Sequence, residues 1–353
     1  MSTHREGITT ETHDWTLVKA SSLIKDQKVI TIEGSLPVEE ACNLLIENNI
    51  TSAPVFNSKS KDSSESAIVH PRSYVGMFDY GDVIAYILLV LQNMSPPGVK
   101  DSLNFEINDI IRRATEGKEV PVKLASDLSQ KNPFYSILPE ATLLSAVEEF
   151  AYGIHRVCVL NPDGSIKGIL SQSTATKYLY ANQRNFPDIE RIMNKTLRQL
   201  GLGVSDVIAV NADSPVLDAL SLMSKHGISS VAVLGHMGMV LGNISMTDVK
   251  FIMKSYKHQL LWETCFQFVS LVRTQQGVED GQDRIPVFDV RLDTTLGFAV
   301  AKLLATKSHR VWVIDEREKA IGVVSLTDVM RAIATTSNGV EIKPLQKGKE
   351  ADK

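Results

Sequence analysis

Residues 308–333 read SHRVWVIDEREKAIGVVSLTDVMRAI, and two earlier stretches repeat the pattern: ISSVAVLGHMGMVLGNISMTDVKFIM at 228–253 and IHRVCVLNPDGSIKGILSQSTATKYL at 154–179. In each, a polar residue (Arg310, Ser230, Arg156) stands twelve positions before a glycine (Gly322, Gly242, Gly168). Six positions beyond that glycine lie Asp328, Asp248 and Thr174. A fourth copy opens the chain as ITSAPVF (50–56) and YVGMFDYGDVIAYI (74–87), with twenty-four residues from Ser52 to Gly76 and a Ser-rich insert between the halves. Such an insert reads as a surface loop, and His70–Pro71 within it as plain loop. Self-similarity of this kind is the signature of a repeat architecture, each copy one supersecondary unit.

Each copy also has a lead-in. VLDALSLMSKHG (216–227), LGFAVAKLLATK (296–307) and PVEEACNLLIENN (37–49) carry apolar residues at helical spacing. Before them lie the β-rich stretches VITI (29–32), VIAV (207–210) and PVFDV (286–290). One unit therefore reads strand, helix, strand, turn, strand, helix. Four β-α-β-β-α units occupy 28–92, 133–182, 206–256 and 284–336. An extension (1–27) precedes them, linkers at 93–132, 183–205 and 257–283 join them, and a polar tail follows from 337. FEINDIIRRA (105–114), DIERIMNKTLRQLG (188–201) and HQLLWETCFQFVSLV (258–272) read as helices, and GVEDGQDR (277–284) as a solvated acidic turn. The expected class is α+β, with the units paired one with two and three with four in one disc-like body. Each small sheet carries two helices on one face and buries its other face by pairing.

Composition narrows the function. With 353 residues and 43% apolar content the chain can bury a large core. Its 37 basic and 41 acidic side chains leave a net charge of −4, which argues against a globally basic nucleic-acid coat. Any bound anion must then meet a local cluster of donors. The longest apolar run, Val83–Leu91, is nine residues, short of the ~20 a spanning helix needs, and MSTHREGITTETHDW has no apolar signal core. Cys42, Cys158 and Cys265 are odd in number and far apart, as expected for reduced core thiols of a cytoplasmic and nuclear protein. No phosphate loop, G-x-S-x-G elbow or H-E-x-x-H motif is present, which disfavours an enzyme.

Two constellations recur. Ser245/Asp248 and Ser325/Asp328, with Ser171/Thr174 and Asp79/Asp82 as variants, have the spacing of a capping box, which stabilises a helix start by about 0.5–2 kcal/mol. A carboxylate in a first turn can equally accept bonds from paired ribose hydroxyls, beside N–H groups that favour phosphate. The second constellation is His155–Arg156 and His309–Arg310, where a helix gives way to a strand. These pairs read as solvated loop charges, as an Arg paired with a nearby carboxylate, or as a planar fork of donors fitted to phosphate with an adjacent imidazole. Units one and three carry Thr51–Ser52 and Ser229–Ser230 there, so the basic pairs alternate.

The hGhhSxxDh endings and the HR pairs resemble cystathionine-β-synthase (CBS) repeats over about 28–336. The arrangement resembles the γ regulatory subunit of AMP-activated protein kinase, whose repeats pair as two Bateman modules. LLWETCFQFVSLVRTQQGVEDGQDRIPVFDV (260–290) is further similar to a fungal branch of four-CBS proteins linked to stress response, cell separation and inhibition of type 2A-like phosphatases. The resemblance implies AMP, ADP or ATP as regulatory ligands, with no required cofactor or metal. It implies ribose contacts from Asp248, Asp328 and Asp82, and phosphate contacts from His155, Arg156, His309, Arg310, Ser325 and Thr327. Thr174, in the carboxylate's place, implies that unit two's own site is empty, and Asp79 in place of Ser or Thr sets unit one apart. The implied partners are protein kinase subunits or a type 2A-like phosphatase, with no nucleic acid and no membrane. The alternative expectation is a nucleotide-independent scaffold that inhibits such a phosphatase.

Overall fold

The structure, a computed structural model, describes residues 14–25, 27–57, 73–92, 104–254, 258–280 and 289–338. The insert tip with His70–Pro71, the latter part of the acidic stretch (281–284) and the tail lie outside these residues. Each unit folds as the repeat demands. In unit one, β1 (Ile32–Glu33) pairs parallel with β2 (Ser52–Asn57), and β2 antiparallel with β3 (Ser73–Asp79). Helix α1 (Val38–Glu47) connects β1 to β2, and α2 (Tyr80–Gln92) closes the unit. The other three repeat this order: β4 (Ser136–Ile137), α5 (Leu143–Ala151), β5 (Arg156–Leu160), β6 (Ile166–Ser171) and α6 (Gln172–Ala181) form unit two. Unit three comprises β7 (Ala209–Asn211), α8 (Val216–Lys225), β8 (Ser230–Leu234), β9 (Val240–Ser245) and α9 (Val249–Met253). Unit four comprises β10 (Asp289–Val290), α11 (Leu296–Ala305), β11 (Arg310–Ile314), β12 (Ala320–Ser325) and α12 (Leu326–Asn338).

The repeated glycine has a packing cause. It faces a segment from outside the sheet that packs on it, so a side chain there would collide with that segment. A Cβ on Gly322 would run into the Gly203 carbonyl, and one on Gly168 into Ile24. The same glycine meets Ser126 in unit one and Val269 in unit three. The extension and linker segments are therefore exchanged. The N-terminal extension covers unit two, and the segment before unit two covers unit one. The segment after unit two covers unit four, and the one after unit three covers unit three. This exchange ties one to two and three to four, as expected. Trp312 Nε1 donates to Asn243 Oδ1 at 3.2 Å between units four and three, and the two hairpin ends bridge at Met239 and Lys319.

The helices make a second set of pairs that the repeat did not announce. One apolar core joins units one and three, including Ile84, Leu88, Leu220 and Phe251. The other joins two and four, including Phe150, Val300, Met330 and Ile333. Each such fully buried side chain contributes about 1.5–3 kcal/mol, so these cores hold the two modules together. The stretch 80–92 is the expected buried helix, and all three cysteines are free and buried. Burial pushes each thiol up to about 12, which leaves it inert. Among the linker helices, α3 (Asn104–Thr115) and α7 (Pro187–Met193) form, and short α4 (Val122–Ala125) lies between α3 and β4. The helix expected over 188–201 stops at Met193 because Thr196 leaves to bridge Thr295 beside unit four. Conversely α10 (Cys265–Asp280) runs on through Gly277–Asp280, where the acidic turn was expected to begin.

Candidate functional site

Strand register brings the two constellations together. The first residue of each middle strand stands opposite the residue that caps the closing helix: Ser52 opposite Asp79, Arg156 opposite Ser171, Ser230 opposite Ser245 and Arg310 opposite Ser325. The fixed spacings in the sequence encode this pairing. The closing helices then start beside one another across the modules. Gln172 Nε2 donates to Thr327 Oγ1 at 3.0 Å, linking the starts of α6 and α12. Arg331 Nη2 donates to the Ala151 carbonyl at 3.3 Å, and Gly81 lies against Met246.

The HR pairs converge where these starts meet. Burial first, then the charges of Arg156, His309, Arg310 and Lys131, hold His155 down at about 3. Burial and the two guanidinium groups hold His309 at about 4. His309 still reaches solvent, so for it the guanidinium charges are the firmer cause. Burial lowers the Arg310 guanidinium to about 10, opposed by Asp328. Both imidazoles are thus neutral at neutral pH while the arginines keep their charge. Arg310 donates to Ser229 Oγ, and at 3.3 Å to the Ser230 carbonyl, reaching from unit four into unit three. Arg156 differs: its Nη1 is buried with no hydrogen-bond partner among the described residues. A buried donor without a partner costs about 1–3 kcal/mol.

The carboxylates form a graded series. Asp328 Oδ2 accepts from Ser325 N at 2.8 Å and Ser325 Oγ at 2.7 Å, while Oδ1 pairs with Arg331 at 3.0 Å. Asp248 Oδ2 accepts from Ser245 N and Oγ at 2.7 and 2.8 Å, and burial raises its carboxyl against those bonds. Capping is therefore real at both positions, and it also fixes each carboxylate at a helix start. Thr174 contributes one hydroxyl, 3.0 Å from Ser171 Oγ. Ser325 serves the cap and Thr327 accepts from Gln172, so both hydroxyls lie within the central group.

Unit one is filled by its own chain. Ser129 N donates to Asp82 Oδ1 at 2.9 Å, Asp79 N to Asp82 Oδ2 at 3.0 Å, and Asn132 Nδ2 to Asp79 Oδ2. Burial and the neighbouring Asp79 push Asp82 well above the usual carboxylate range, against the Ser129 bonds. Asp82, 2% exposed, spends both oxygens on backbone N–H groups, whereas Asp328, whose oxygens are also engaged, stays partly exposed. The same segment brings in Lys131, whose Nζ donates to the carbonyls of Met223 and Ile228 at 3.1 and 3.0 Å. Neither contact was legible in advance, because 126–132 lies in a linker with no counterpart in the repeat.

A family model described as the CBS domain matches residues 20–89, 125–181, 190–255 and 283–335. The chain is similar to the fungal protein sds23 of Aspergillus niger, 38% identical over 304 residues, 86% of this chain and 57% of that protein. It is also similar to protein SDS23 of Kluyveromyces lactis, 36% identical over 348 residues, 92% of this chain and 63% of that one. It thus spans about three fifths of these relatives' length. Among solved structures, protein MJ1225 of Methanocaldococcus jannaschii, described as an archaeal homologue of the AMP-activated kinase γ subunit, shares the fold. Its TM-score is 0.63 at 15% identity, over 89% of this chain and 99% of that one.

Proposed function

The chain belongs to the CBS-domain family, and on that premise we propose that it is a non-catalytic regulatory protein that binds an adenine nucleotide where its four units meet. In this reading Asp328 or Asp248 holds the ribose at a capped helix start. Arg156 and Arg310 hold phosphate, with His155, His309, Ser325 and Thr327 as neutral partners. The bound nucleotide modulates a partner kinase or phosphatase complex in energy or stress signalling. It acts by binding one partner-competent state better than another, since only differential affinity shifts such an equilibrium. The carrying observation is the buried Nη1 of Arg156, without a hydrogen-bond partner among the described residues, beside the two histidines. Such a donor in a basic recess is suited to an anionic ligand. The buried free thiols agree with a place in the cytoplasm and nucleus, which imaging of the tagged protein in its own cells tests.

Titration calorimetry of the full chain with AMP, ADP and ATP tests binding. Saturable heat with at least one of them is expected, and no heat together with no thermal shift at millimolar nucleotide refutes the reading. A second reading rests on unit one, whose cap carboxylates are closed off by Ser129 and Asn132, and on Thr174 in unit two. These features fit a scaffold that inhibits a type 2A-like phosphatase without nucleotide. Purification from its own cells separates the two: partner and nucleotide recovered together favour the sensor, whereas a partner held equally after nucleotide is stripped away favours the scaffold.

A further inference from the structure

The segment that closes unit one also reaches the centre. Ser129 and Asn132 fasten it to Asp82 and Asp79. Between them, Lys131 spans to unit three and bonds the carbonyls of Met223, in α8, and of Ile228 just beyond it. Ile228 immediately precedes Ser229 and Ser230, the residues that hold Arg310. Lys131 is also among the charges that hold down His155, along with Arg156 and Arg310. A residue from outside the repeat thus supplies the recess with a third permanent cation.

We infer that Lys131 is a ligand-binding residue of this site and that its charge makes the site select a polyphosphate chain over a single phosphate. The inference rests on the nucleotide reading above and names the class of nucleotide. Two guanidinium groups already match the charge of one phosphate dianion. A triphosphate carries further negative charge at its outer end and needs another cation there. An ammonium on a flexible four-carbon stem suits that role, because it can swing between carbonyl and phosphate acceptors as a compact point charge. Its contacts include two carbonyls at the end of a helix, acceptors that leave the ammonium its proton and its charge. Docking of the 126–132 segment on unit one would then depend on what the centre holds.

The test is calorimetry of the full chain with AMP, ATP, inorganic phosphate and tripolyphosphate, on wild type, Lys131→Gln and Lys131→Arg. Wild type should bind ATP and tripolyphosphate more tightly than AMP and phosphate. Lys131→Gln should lose roughly tenfold or more of its ATP affinity, the scale of one charge-assisted bond, with AMP affinity little changed. Lys131→Arg should retain most of the preference. Equal losses for AMP and ATP, or an unchanged ratio in Lys131→Gln, would mean that Lys131 only caps α8 and would overturn the inference while leaving the nucleotide reading intact. A wild type that binds none of the four overturns both. Should Lys131→Gln not fold, wild type decides the matter with an adenosine triphosphate ended in pyridoxal, whose aldehyde condenses with a nearby amine and is fixed by borohydride. Lys131 should be labelled and ATP should protect it; labelling elsewhere refutes the assignment.

Discussion

Replacing Arg156 with alanine separates a ligand residue from a structural one, because the structure gives opposite expectations for the empty and the loaded protein. Arg156 Nη1 is a buried donor without a hydrogen-bond partner among the described residues, a condition that costs about 1–3 kcal/mol. Truncation removes that cost and a cation beside His155, while it forfeits the packing of the arginine stem. The two roughly cancel, so the ligand-free thermal midpoint should move by no more than a few degrees. In the loaded protein the same change removes a charge-assisted contact of about 1.5–3 kcal/mol, a loss of roughly 10- to 150-fold in affinity. Thr174→Val is the control from the same unit. It removes only a hydroxyl that lies 3.0 Å from Ser171 Oγ, so nucleotide affinity should not change. Calorimetry with each nucleotide, and thermal unfolding with and without it, read both quantities. Nuclear magnetic resonance should also show His155 titrating higher in Arg156→Ala, though burial, its larger cause, still holds it down. Equal affinity for wild type and Arg156→Ala, or a loss as large in Thr174→Val, would refute the cross-module arrangement.

His155 predicts a pH dependence. Its folded value of about 3 lies below the unfolded value near 6.5, so the unfolded chain binds more protons in between. Stability from this group is present above about pH 6.5 and falls by up to about 1.4 kcal/mol per unit as the pH drops toward the folded value. The difference between wild type and His155→Gln in denaturant unfolding isolates it, since Asp82 and Asp248, raised by burial, contribute with the opposite sign. Bound polyphosphate favours the imidazolium, so calorimetry below pH 6.5 in buffers of different ionisation enthalpy should register proton uptake. Asp328→Asn keeps the shape and part of the cap but loses the charge. Nucleotide affinity should fall while the ligand-free midpoint moves by a few degrees; a large midpoint loss with unchanged affinity would leave Asp328 as a cap alone, and Asp248→Asn poses the same contrast. Asn132→Ala leaves a buried Asp79 oxygen without its donor, at a cost of about 1.5–3 kcal/mol; unchanged stability in denaturant would remove the segment's role as a seal.

How much of this could be read in the chain follows from what repeats. Spacing between the polar residue, the glycine and the capping residue is set by hairpin register and by the linker pressed on the sheet, both of which recur in every unit. The position of Arg310 opposite Ser325, and hence a shared site, was therefore legible. The linkers were not, because each is unique. Nothing in the sequence around Lys131 distinguishes it from an exposed lysine, and only the docking of Ser129 and Asn132 carries it inward. The helix cores joining one with three and two with four were hidden for another reason. Helical periodicity marks a face as apolar without saying which neighbour covers it. Ending α7 at Met193 required knowing that Thr196 has a partner in unit four.

The alternation of basic and small polar pairs has a cause in this geometry. Four strand starts converge on one place, and each could have carried an arginine. A further guanidinium about 6 Å from an existing one would cost roughly 3 kcal/mol at an effective dielectric near 20, with no anion present to offset it. Units one and three instead carry Thr51–Ser52 and Ser229–Ser230 at these places. In unit three the substitution has a second effect: Ser229 Oγ and the Ser230 carbonyl accept from Arg310, giving that cation a resting partner. Arg156 Nη1 has no such partner among the described residues. The two arginines are thus held differently, one tied to unit three within its own module and one with an open donor. An anion arriving at the centre meets Arg156 at no cost in broken bonds, whereas Arg310 must be drawn from Ser229. Under the proposed function, the energy of that exchange is where an anionic ligand would act on the contact between units three and four.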